Sequence, residues 1–510
     1  MPTIGSTLRS TAARVPDRTA LVFGDTRYSY AELDSRVDRV AGLLAERGLR
    51  KGDRLALLAS SSDRFVVVFY AAHRLGAIFV PVNPASSALE LEYLVRDSGA
   101  TFLVFDPELG QAVAGARAGG LPDDLRILAT GAADGYDDLI AMAMSRPHTP
   151  VEDTVTESDD AQILYTSGTT GKPKGALFDH HRVLWTAVSM IGTCGIRDGD
   201  RMLHVAPLYH AAELCIMLIP GTLVGATHVV HAKFDAAKAL DDLERHRITM
   251  FFGVPTMYQF LLRLPDLAQR DLSAWRTGMF GAAPMPPSAV EQLVTALPEV
   301  NIMQLCGQTE AGPNGIFCDR DQVRARPDAS GRQPLLTMEC RVVDTDGNDV
   351  EPGDTGELLL RGETVMKGYW NNPEATAETI VDGWLHTGDI CRLDADGYMT
   401  VVDRLKDLII TGGRNVYSVE VEAAIAAHPD VLDVAVVGRP HEEYGESIVA
   451  FVALAPGATL TLEALREFTT ALIARYKVPH ELVVIEQIPR NPSGKILKRD
   501  LRESLNDASV

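Results

Sequence analysis

Cysteine is scarce and scattered in this chain of 510 residues: six in all, Cys194, Cys215, Cys306, Cys318, Cys340 and Cys391. None forms a C-x-x-C pair or a Cys/His cluster, so no structural zinc site is expected and a reducing, cytoplasmic setting is. Positive charge is short as well. Against 69 Asp and Glu stand 48 Lys and Arg, a formal net charge of −21, which is the wrong field for a phosphate backbone and excludes nucleic acid as an expected partner. The same field repels anionic ligands, so a site for one must be locally basic or rich in backbone N–H groups. Long apolar runs are missing too. The most apolar stretch, Leu214 to Val230, is interrupted by Pro220-Gly221, is too short to span a bilayer, and reads as core. The first residues, Met1-Pro2-Thr3-Ile4-Gly5, carry neither the basic region nor the apolar run of a signal peptide.

What is present is an ordinary globular composition, 46% hydrophobic and 23% charged, in a chain long enough for two or more domains. Through Phe280, apolar strand-like runs (Leu55 to Ala59, Ile78 to Val82, Thr101 to Phe105) alternate with amphipathic helical stretches. The Ala31 to Gly48 stretch places Leu33, Val37, Val40 and Leu44 on one face. That alternation predicts parallel sheets with helices on both faces. From about Ser330 short strands separated by Asp-Gly turns (Asp346-Gly347, Asp396-Gly397) predict a more β-rich lobe. After Asp403 a compact α+β unit is expected, with helices at Val419 to Ala427, Leu462 to Ala474 and Lys495 to Leu505, and strands at Val434 to Val437, Ile448 to Leu454 and Leu482 to Ile485. The expected division is therefore 1–402, a boundary at 403–406, and 407–510.

The segment richest in chemistry is Tyr165-Thr166-Ser167-Gly168-Thr169-Thr170-Gly171-Lys172-Pro173-Lys174-Gly175. Glycines let backbone N–H groups approach oxygens closely, the Ser and Thr hydroxyls add donors, and the lysines add charge, a combination suited to phosphate. It is not a Walker loop, because Pro173 stands where that motif needs its second glycine.

This loop resembles the phosphate-binding signature of the acyl-adenylate-forming superfamily, which includes acyl-CoA synthetases, firefly luciferase and the adenylation domains of peptide synthetases. The resemblance continues in order along nearly the whole chain: Gly76-Ala77-Ile78-Phe79-Val80-Pro81-Val82-Asn83, Ala206-Pro207-Leu208-Tyr209-His210, Gly307-Gln308-Thr309-Glu310, Thr387-Gly388-Asp389, Asp403-Arg404-Leu405-Lys406-Asp407 and Pro492-Ser493-Gly494-Lys495. It implies a large N-terminal domain of doubly wound sheets with a β-rich lobe and a small mobile α+β C-terminal domain. It also implies a reaction in which a carboxylate attacks the α-phosphorus of ATP, releasing pyrophosphate, before the acyl group passes to coenzyme A. A carboxylic acid is already ionised at neutral pH, so no general base is needed. The chemistry asks instead for positioning and charge neutralisation.

Carried over by resemblance, Glu310 is the magnesium ligand and Thr309 its phosphate-binding neighbour. The ATP contacts are Thr166, Ser167, Gly168, Thr169, Thr170, Gly171, Lys174, Ala282, Ala283, Cys306, Gly307, Gln308, Asp389 and Arg404, with Asp389 accepting the ribose hydroxyls. Lys495 bridges the substrate carboxylate and the α-phosphate, a role suited to a flexible point charge. His210, Glu213, Gly281 and Leu305 line the acyl site, Lys406 is the hinge, and Gly412, Gly413, Arg475 and Lys477 serve coenzyme A. Two positions depart from the pattern. Cys306 replaces an aromatic residue that stacks on adenine, and Ser418 stands where many relatives have proline.

Within the resemblance, Glu213 is odd in an apolar stretch, either hydrogen-bonding a polar substrate group or paired structurally. The apolar surroundings of His210 favour an unsubstituted fatty, aryl or alicyclic acid over an amino acid. Arg475-Tyr476-Lys477-Val478-Pro479 favours coenzyme A as acceptor, with an acyl carrier protein as the alternative partner. A silent adenylate-binding protein is the reading from a different class, motivated by Cys306 alone.

Overall fold

Runs such as Leu55-Ala56-Leu57-Leu58 and Ile78-Phe79-Val80-Pro81-Val82 are apolar on both sides of a strand, and only a sheet covered on both faces buries them. The computed structural model describes residues 2–152, 154–166, 172–441, 443–490 and 496–507, and there both runs are buried strands. The Arg54–Leu58 strand lies parallel between Ile78–Val82 and Phe102–Phe105, and Arg126–Ala129 extends the sheet in parallel. On the other side Phe79 pairs with Gln162 of Asp160–Thr166, which returns antiparallel as Lys174–Asp179. Residues 167–173 join those last two strands in sequence.

A second, nine-stranded sheet places Thr227–Val230, Arg201–His204, Met250–Gly253, Thr277–Gly281 and Asn301–Gly307 side by side in parallel. Parallel strands end on a common edge, so His204, Gly253, Gly281 and Gly307 all lie there, at the carboxyl ends where open α/β sheets hold ligands. The Gly315–Cys318 strand then turns back antiparallel along Asn301–Gly307.

Helices cover these sheets where the sequence supplies both a start signal and an apolar face. Ser29 and Glu32 form a capping box that opens the Tyr30–Glu46 helix, which buries Leu33, Val37, Val40 and Leu44 as expected. The Asp63–Arg74 helix sets Phe65 and Phe69 edge-on to Phe79, with centroids 5.8 and 5.1 Å apart. Most of the apolar stretch from Leu214 is helix. A π-helical segment, Ala212–Leu218, runs into an α-helix, Ile219–Val224. Pro220 falls just after the junction of the two, where it supplies no N–H to the carbonyls of the π-helical turn. Among the described residues no helix is long and apolar enough to cross a membrane.

All of these elements belong to one compact unit, Met1–Pro327 with Gln333–Cys340 and Leu360–Leu385. The second unit comprises Asp328–Arg332, Arg341–Leu359 and His386–Val510. In it Val431–His441 and Gly445–Leu454 form a long antiparallel pair, longer than the two short strands expected, with Glu481–Val484 parallel alongside. Side chains alternate across that sheet. Val434, Val436, Ile448 and Ala450 pack with Ile425 and Leu465, while Ala435, Val437, Val449 and Phe451 pack with Ile488 and Leu501. Its helices are Ser418–Ala426, Leu462–Thr470 and Lys498–Asp507, the second shorter than expected and the third starting three residues later.

Compactness divides the chain at a different place from the 403–406 boundary. Trp384–Leu393 pairs antiparallel with Met399–Arg404, matching Ile390 to Asp403 and Asp389 to Arg404. That ladder ties the β-rich residues after 385 to the C-terminal unit. A hinge is a statement about motion rather than compactness, so its place at Lys406 belongs to the proposals below.

Candidate active site

The candidate chemistry-bearing residues fall on both units. On the larger unit, Thr166 ends one strand of the hairpin and Lys174 begins the other. Ser167, Gly168, Thr169, Thr170 and Gly171 lie outside the described residues. Both loop lysines rest against aromatic faces, Lys172 Nζ 5.2 Å from the Tyr93 ring centre and Lys174 Nζ 5.0 Å from that of Tyr369.

Glu310 sits in a single 3-10 turn, Thr309–Ala311, directly after Gln308. Its Oε1 accepts from the Thr166 hydroxyl at 3.3 Å and from the Tyr369 hydroxyl at 3.0 Å. Burial, and then the neighbouring Glu310 charge, push the Tyr369 phenol well above its ordinary value, so it stays a donor. The Glu310 carbonyl also accepts the Met366 N–H at 2.9 Å. A carboxylate is thus fixed at the foot of the phosphate loop by two hydroxyls. Among the described residues no cluster of three or more His, Cys, Asp or Glu side chains forms a metal cage. A lone carboxylate beside a phosphate loop suits magnesium, whose remaining ligands are phosphate oxygens and water.

Beside Glu310 the backbone is pressed close. A Cβ on Gly307 would stand 2.5 Å from the Asn314 carbonyl oxygen, and one on Gly281 2.3 Å from that of Leu305. Ala282, next in line, holds a left-handed φ of 68°, a conformation rare for a side chain with a Cβ and often found at functional sites. Ala283 follows it, and half-buried Cys306 pairs with Ile316 on the adjacent strand.

His210 packs its ring 4.6 Å from that of Tyr209, and its Nε2 is buried with no hydrogen-bond partner among the described residues. Burial lowers its pKa to about 4, so it is neutral at physiological pH. Glu213 is fully buried in the π-helical turn, and its Oε1 is 2.6 Å from His204 Nδ1. His204 Nε2 lies 2.8 Å from His228 Nδ1, and His228 Nε2 lies 3.2 Å from the Thr222 hydroxyl. Burial pushes the Glu213 carboxyl well up and His204 down to about 3. Glu213 therefore keeps its proton and donates it to His204, and the row continues as neutral donors into neutral acceptors. Of the two readings of Glu213, this geometry engages Oε1 structurally, while Oε2 has no hydrogen-bond partner among the described residues.

On the smaller unit, Asp389 and Arg404 are cross-strand neighbours joined by an ion pair, Arg404 Nε to Asp389 Oδ1 at 2.8 Å. Gly388, at φ 68°, turns the chain so that Asp389 follows, and the Asp389 N–H donates to the Thr387 hydroxyl. Lys406 is held below its ordinary pKa by burial. Gly412 and Gly413, at φ 57° and 73°, form the two-residue turn that joins Ile409–Thr411 to Arg414–Val416, which needs positive φ twice in succession. Arg414 stands 4.9 Å from the Tyr476 ring centre and Lys477 Nζ 5.6 Å from it, so the Gly412-Gly413 turn and the Arg475–Lys477 turn meet at one ring. Lys477 is also held by both Glu420 oxygens at 2.7 Å. Lys495 lies outside the described residues.

Sequence reasoning missed Tyr369, Asn314 and the His204–His228 row. Asn314 is fully buried next to the Gly307 backbone, and neither of its amide atoms has a hydrogen-bond partner among the described residues. The aromatic pair Tyr369-Trp370 was the signal available for the first. Pairing of His228 with Met202 and of Val230 with His204, which brings the histidines together, has none in the local sequence.

A two-unit α/β chain with a phosphate hairpin, a lone carboxylate at its foot and an acid–arginine pair on the second unit defines an adenylate-forming ligase. The chain belongs to the AMP-binding enzyme family, which matches residues 8–370, and its AMP-binding enzyme C-terminal domain matches residues 420–495. It is similar to feruloyl-CoA synthase from Amycolatopsis sp, 38% identical over 96% of each chain. It is also similar to the long-chain-fatty-acid–CoA ligase FadD13 of Mycobacterium tuberculosis, 34% identical over 99% of this chain and 98% of that one. The solved structure of the anthranilate CoA ligase AuaEII with anthranoyl-AMP superposes with a TM-score of 0.90 at 30% identity, covering 100% of this chain and 98% of that one. The protein is an AMP-forming acid–thiol ligase. It activates a small-molecule carboxylic acid with ATP, with magnesium, and forms the coenzyme A thioester.

Proposed function

We propose that the acid is apolar, a fatty, aryl or alicyclic carboxylate, and that the residues assigned above divide the work of activating it. Leu305 belongs to a cluster in which Met190, Met202, Met217, Met250, Met279 and Met303 are all buried. Unbranched thioethers repack around irregular apolar shapes more readily than branched side chains. FadD13 and feruloyl-CoA synthase act, by their names, on a fatty acid and on an aryl-substituted acid, which supports the same class.

The phosphates of ATP are received by the Thr166–Lys174 hairpin, and magnesium bound at Glu310 supplies the positive charge that screens them. Asp389 accepts the ribose hydroxyls and Arg404 orients it. The carboxylate attacks the α-phosphorus as pyrophosphate leaves, with Lys495 neutralising both reacting oxygens. The thiol sulfur of coenzyme A then attacks the acyl carbon, AMP leaves with the C–O bond electrons, and the thiol proton passes to solvent. Lys406 is the hinge between the two half-reactions. The observation that carries this reading is the Glu310 carboxylate fixed by Thr166 and Tyr369.

Pyrophosphate release over a panel of fatty, aryl and alicyclic acids, with and without coenzyme A, tests it. Acid-dependent release that accelerates with coenzyme A and yields a thioester is expected, and release confined to amino acids would overturn the substrate class. Release with no thioester would point to a carrier protein as acceptor.

Tyr369→Phe isolates the carboxylate support. Losing one hydrogen bond to a charged group costs about 1.5–3 kcal/mol, so the magnesium concentration for half-maximal rate should rise roughly tenfold or more. The KM for the acid should hold. An unchanged magnesium requirement would remove Tyr369 from the site.

A further inference from the structure

In a chain whose formal net charge is −21, one cavity of the larger unit is walled by arginine. It holds about 380 Å³ and is lined by Arg27, Arg201, Arg245, His246 and Arg247, with no carboxylate among its lining residues. Strand register explains part of this gathering. Arg201 lies opposite Thr227, while Val229 lies opposite Val22 and Val22 opposite Arg27. Thr227 and Val229 are two apart on one strand, so all five share one face of the sheet. Val22 and Val229 are buried and give the cavity an apolar floor. The Ala236–Arg245 helix ends beside it and delivers Arg245, His246 and Arg247.

Taken singly, these cations have ordinary explanations. An arginine at a helix C-terminus complements the dipole, and a charge on an edge strand discourages pairing with another chain. Neither explains four guanidiniums around one hollow. Among the described residues only two of the lining side chains have a carboxylate partner, and both contacts are long: His246 with Asp242 and Arg247 with Asp271, each at 3.4 Å. Arg247 also holds a left-handed φ of 48°, just past a helix cap where glycine is usual. Its carbonyl accepts from Arg201 Nε at 2.6 Å, which holds that guanidinium in place. At physiological ionic strength charges act over about 8 Å, so the cavity answers to its own arginines and not to the net charge of the chain.

We propose that this cavity is a second anion site, one that takes a small soluble molecule bearing phosphate. The guanidinium fork matches phosphate oxygens two at a time, and an anion relieves the repulsion among the arginines. None of the large exposed apolar side chains lines the cavity among the described residues. It therefore lacks the anchors that seat a protein surface in lipid, which favours a soluble anion over a headgroup. Arg201 and Thr227 begin strands that end on the edge carrying His204, Gly253, Gly281 and Gly307, so the site stands at the opposite end of the sheet.

Calorimetry on the full chain without magnesium, with inorganic pyrophosphate as the probe, tests this. The double variant Arg27→Ser/Arg245→Ser removes two exposed cations and should keep the Tm of the parent. It should bind pyrophosphate about tenfold more weakly or worse, since each lost contact is a hydrogen bond to a charged group. Its kcat for acid-dependent pyrophosphate release should stay within about twofold. Lys174→Ala, in the phosphate hairpin, should keep the binding that the double variant loses. No binding by the parent chain, or equal binding by parent and double variant, would overturn the proposal. So would binding lost in Lys174→Ala alone, which would put the anion in the ATP site. Phosphatidylglycerol vesicles supply the last arm: if the double variant loses vesicle binding and keeps pyrophosphate binding, the arginines serve a lipid headgroup and the soluble anion falls.

Discussion

Lys495→Ala should cut acid-dependent pyrophosphate release by about a hundred- to a thousandfold and leave thiolation of a supplied acyl-adenylate nearly intact. The asymmetry follows from where charge accumulates. In the first half-reaction a carboxylate must come within ~4 Å of a phosphate charge, a repulsion of about 4 kcal/mol per pair at an effective dielectric of ~20. A lysine between the two oxygens converts that repulsion into two attractions. In the second half-reaction the nucleophile is a thiol sulfur and the electrophile an acyl carbon, and no anion approaches the phosphate. Removing the cation therefore raises one barrier by about 3–4 kcal/mol and leaves the other alone. Single-turnover rates of the two steps check this, and equal loss of both would remove Lys495 from adenylation. Glu310→Gln should also lower adenylation, but through magnesium, so a higher magnesium concentration should recover part of its loss and none of that of Lys495→Ala.

The parts of this protein that were legible in its sequence are those written in contiguous residues. The phosphate hairpin, Gly307-Gln308-Thr309-Glu310 and Thr387-Gly388-Asp389 are local strings, and the family they signal is the family to which the chain belongs. The alternation of buried strands with amphipathic helices gave the α/β class for the same reason, because periodicity is local. What escaped was long-range. Tyr369 reaches Glu310 because Gly368 pairs with Leu177 across a sheet. Thr166 and Glu310, 144 residues apart, meet through the fold. Glu213 stayed ambiguous because its partner His204 comes from another element, and the π-helical turn that carries it has no signature at a period of 3.6. Ser418 looked like a minor departure from a pattern. Its neighbours Asp403 and Lys498, which give it two partners, stand 15 residues before it and 80 after it.

The histidines buried in the larger unit should make its stability fall steeply below neutrality. Burial holds His73 and His210 at about 4 and His180 and His204 at about 3, and it lowers His228 well below its ordinary value. The hydrogen bonds agree with neutral rings. His180 Nδ1 accepts the Ile4 N–H at 3.2 Å, which a protonated ring could not do, and in the His204 Nε2–His228 Nδ1 contact one of the two rings must accept. In the unfolded chain the same side chains take up protons near 6.5. Between that pH and about 4 the unfolded state therefore binds more protons, and each histidine withdraws about 1.4 kcal/mol of stability per pH unit. Glu213 opposes them. Its carboxyl stays protonated when buried and ionises near 4.5 when exposed, so its stabilising contribution is complete below 4.5 and is lost as pH rises. Five histidines against one glutamate leave about four protons, or about 5 kcal/mol per pH unit, in a protein whose whole stability is about 5–15 kcal/mol. Thermal unfolding followed from pH 7.5 to 5 should show Tm dropping steeply below 6.5, and a flat profile would mean that these rings accept protons while folded. Glu213→Gln should separate the opposing contribution. Its amide N–H can donate to His204 Nδ1 as the carboxyl proton does, but it has no proton to lose on unfolding. The variant should therefore gain stability at pH 8 relative to pH 5, whereas an ionised Glu213 paired with a charged His204 would make the same substitution destabilising at pH 8.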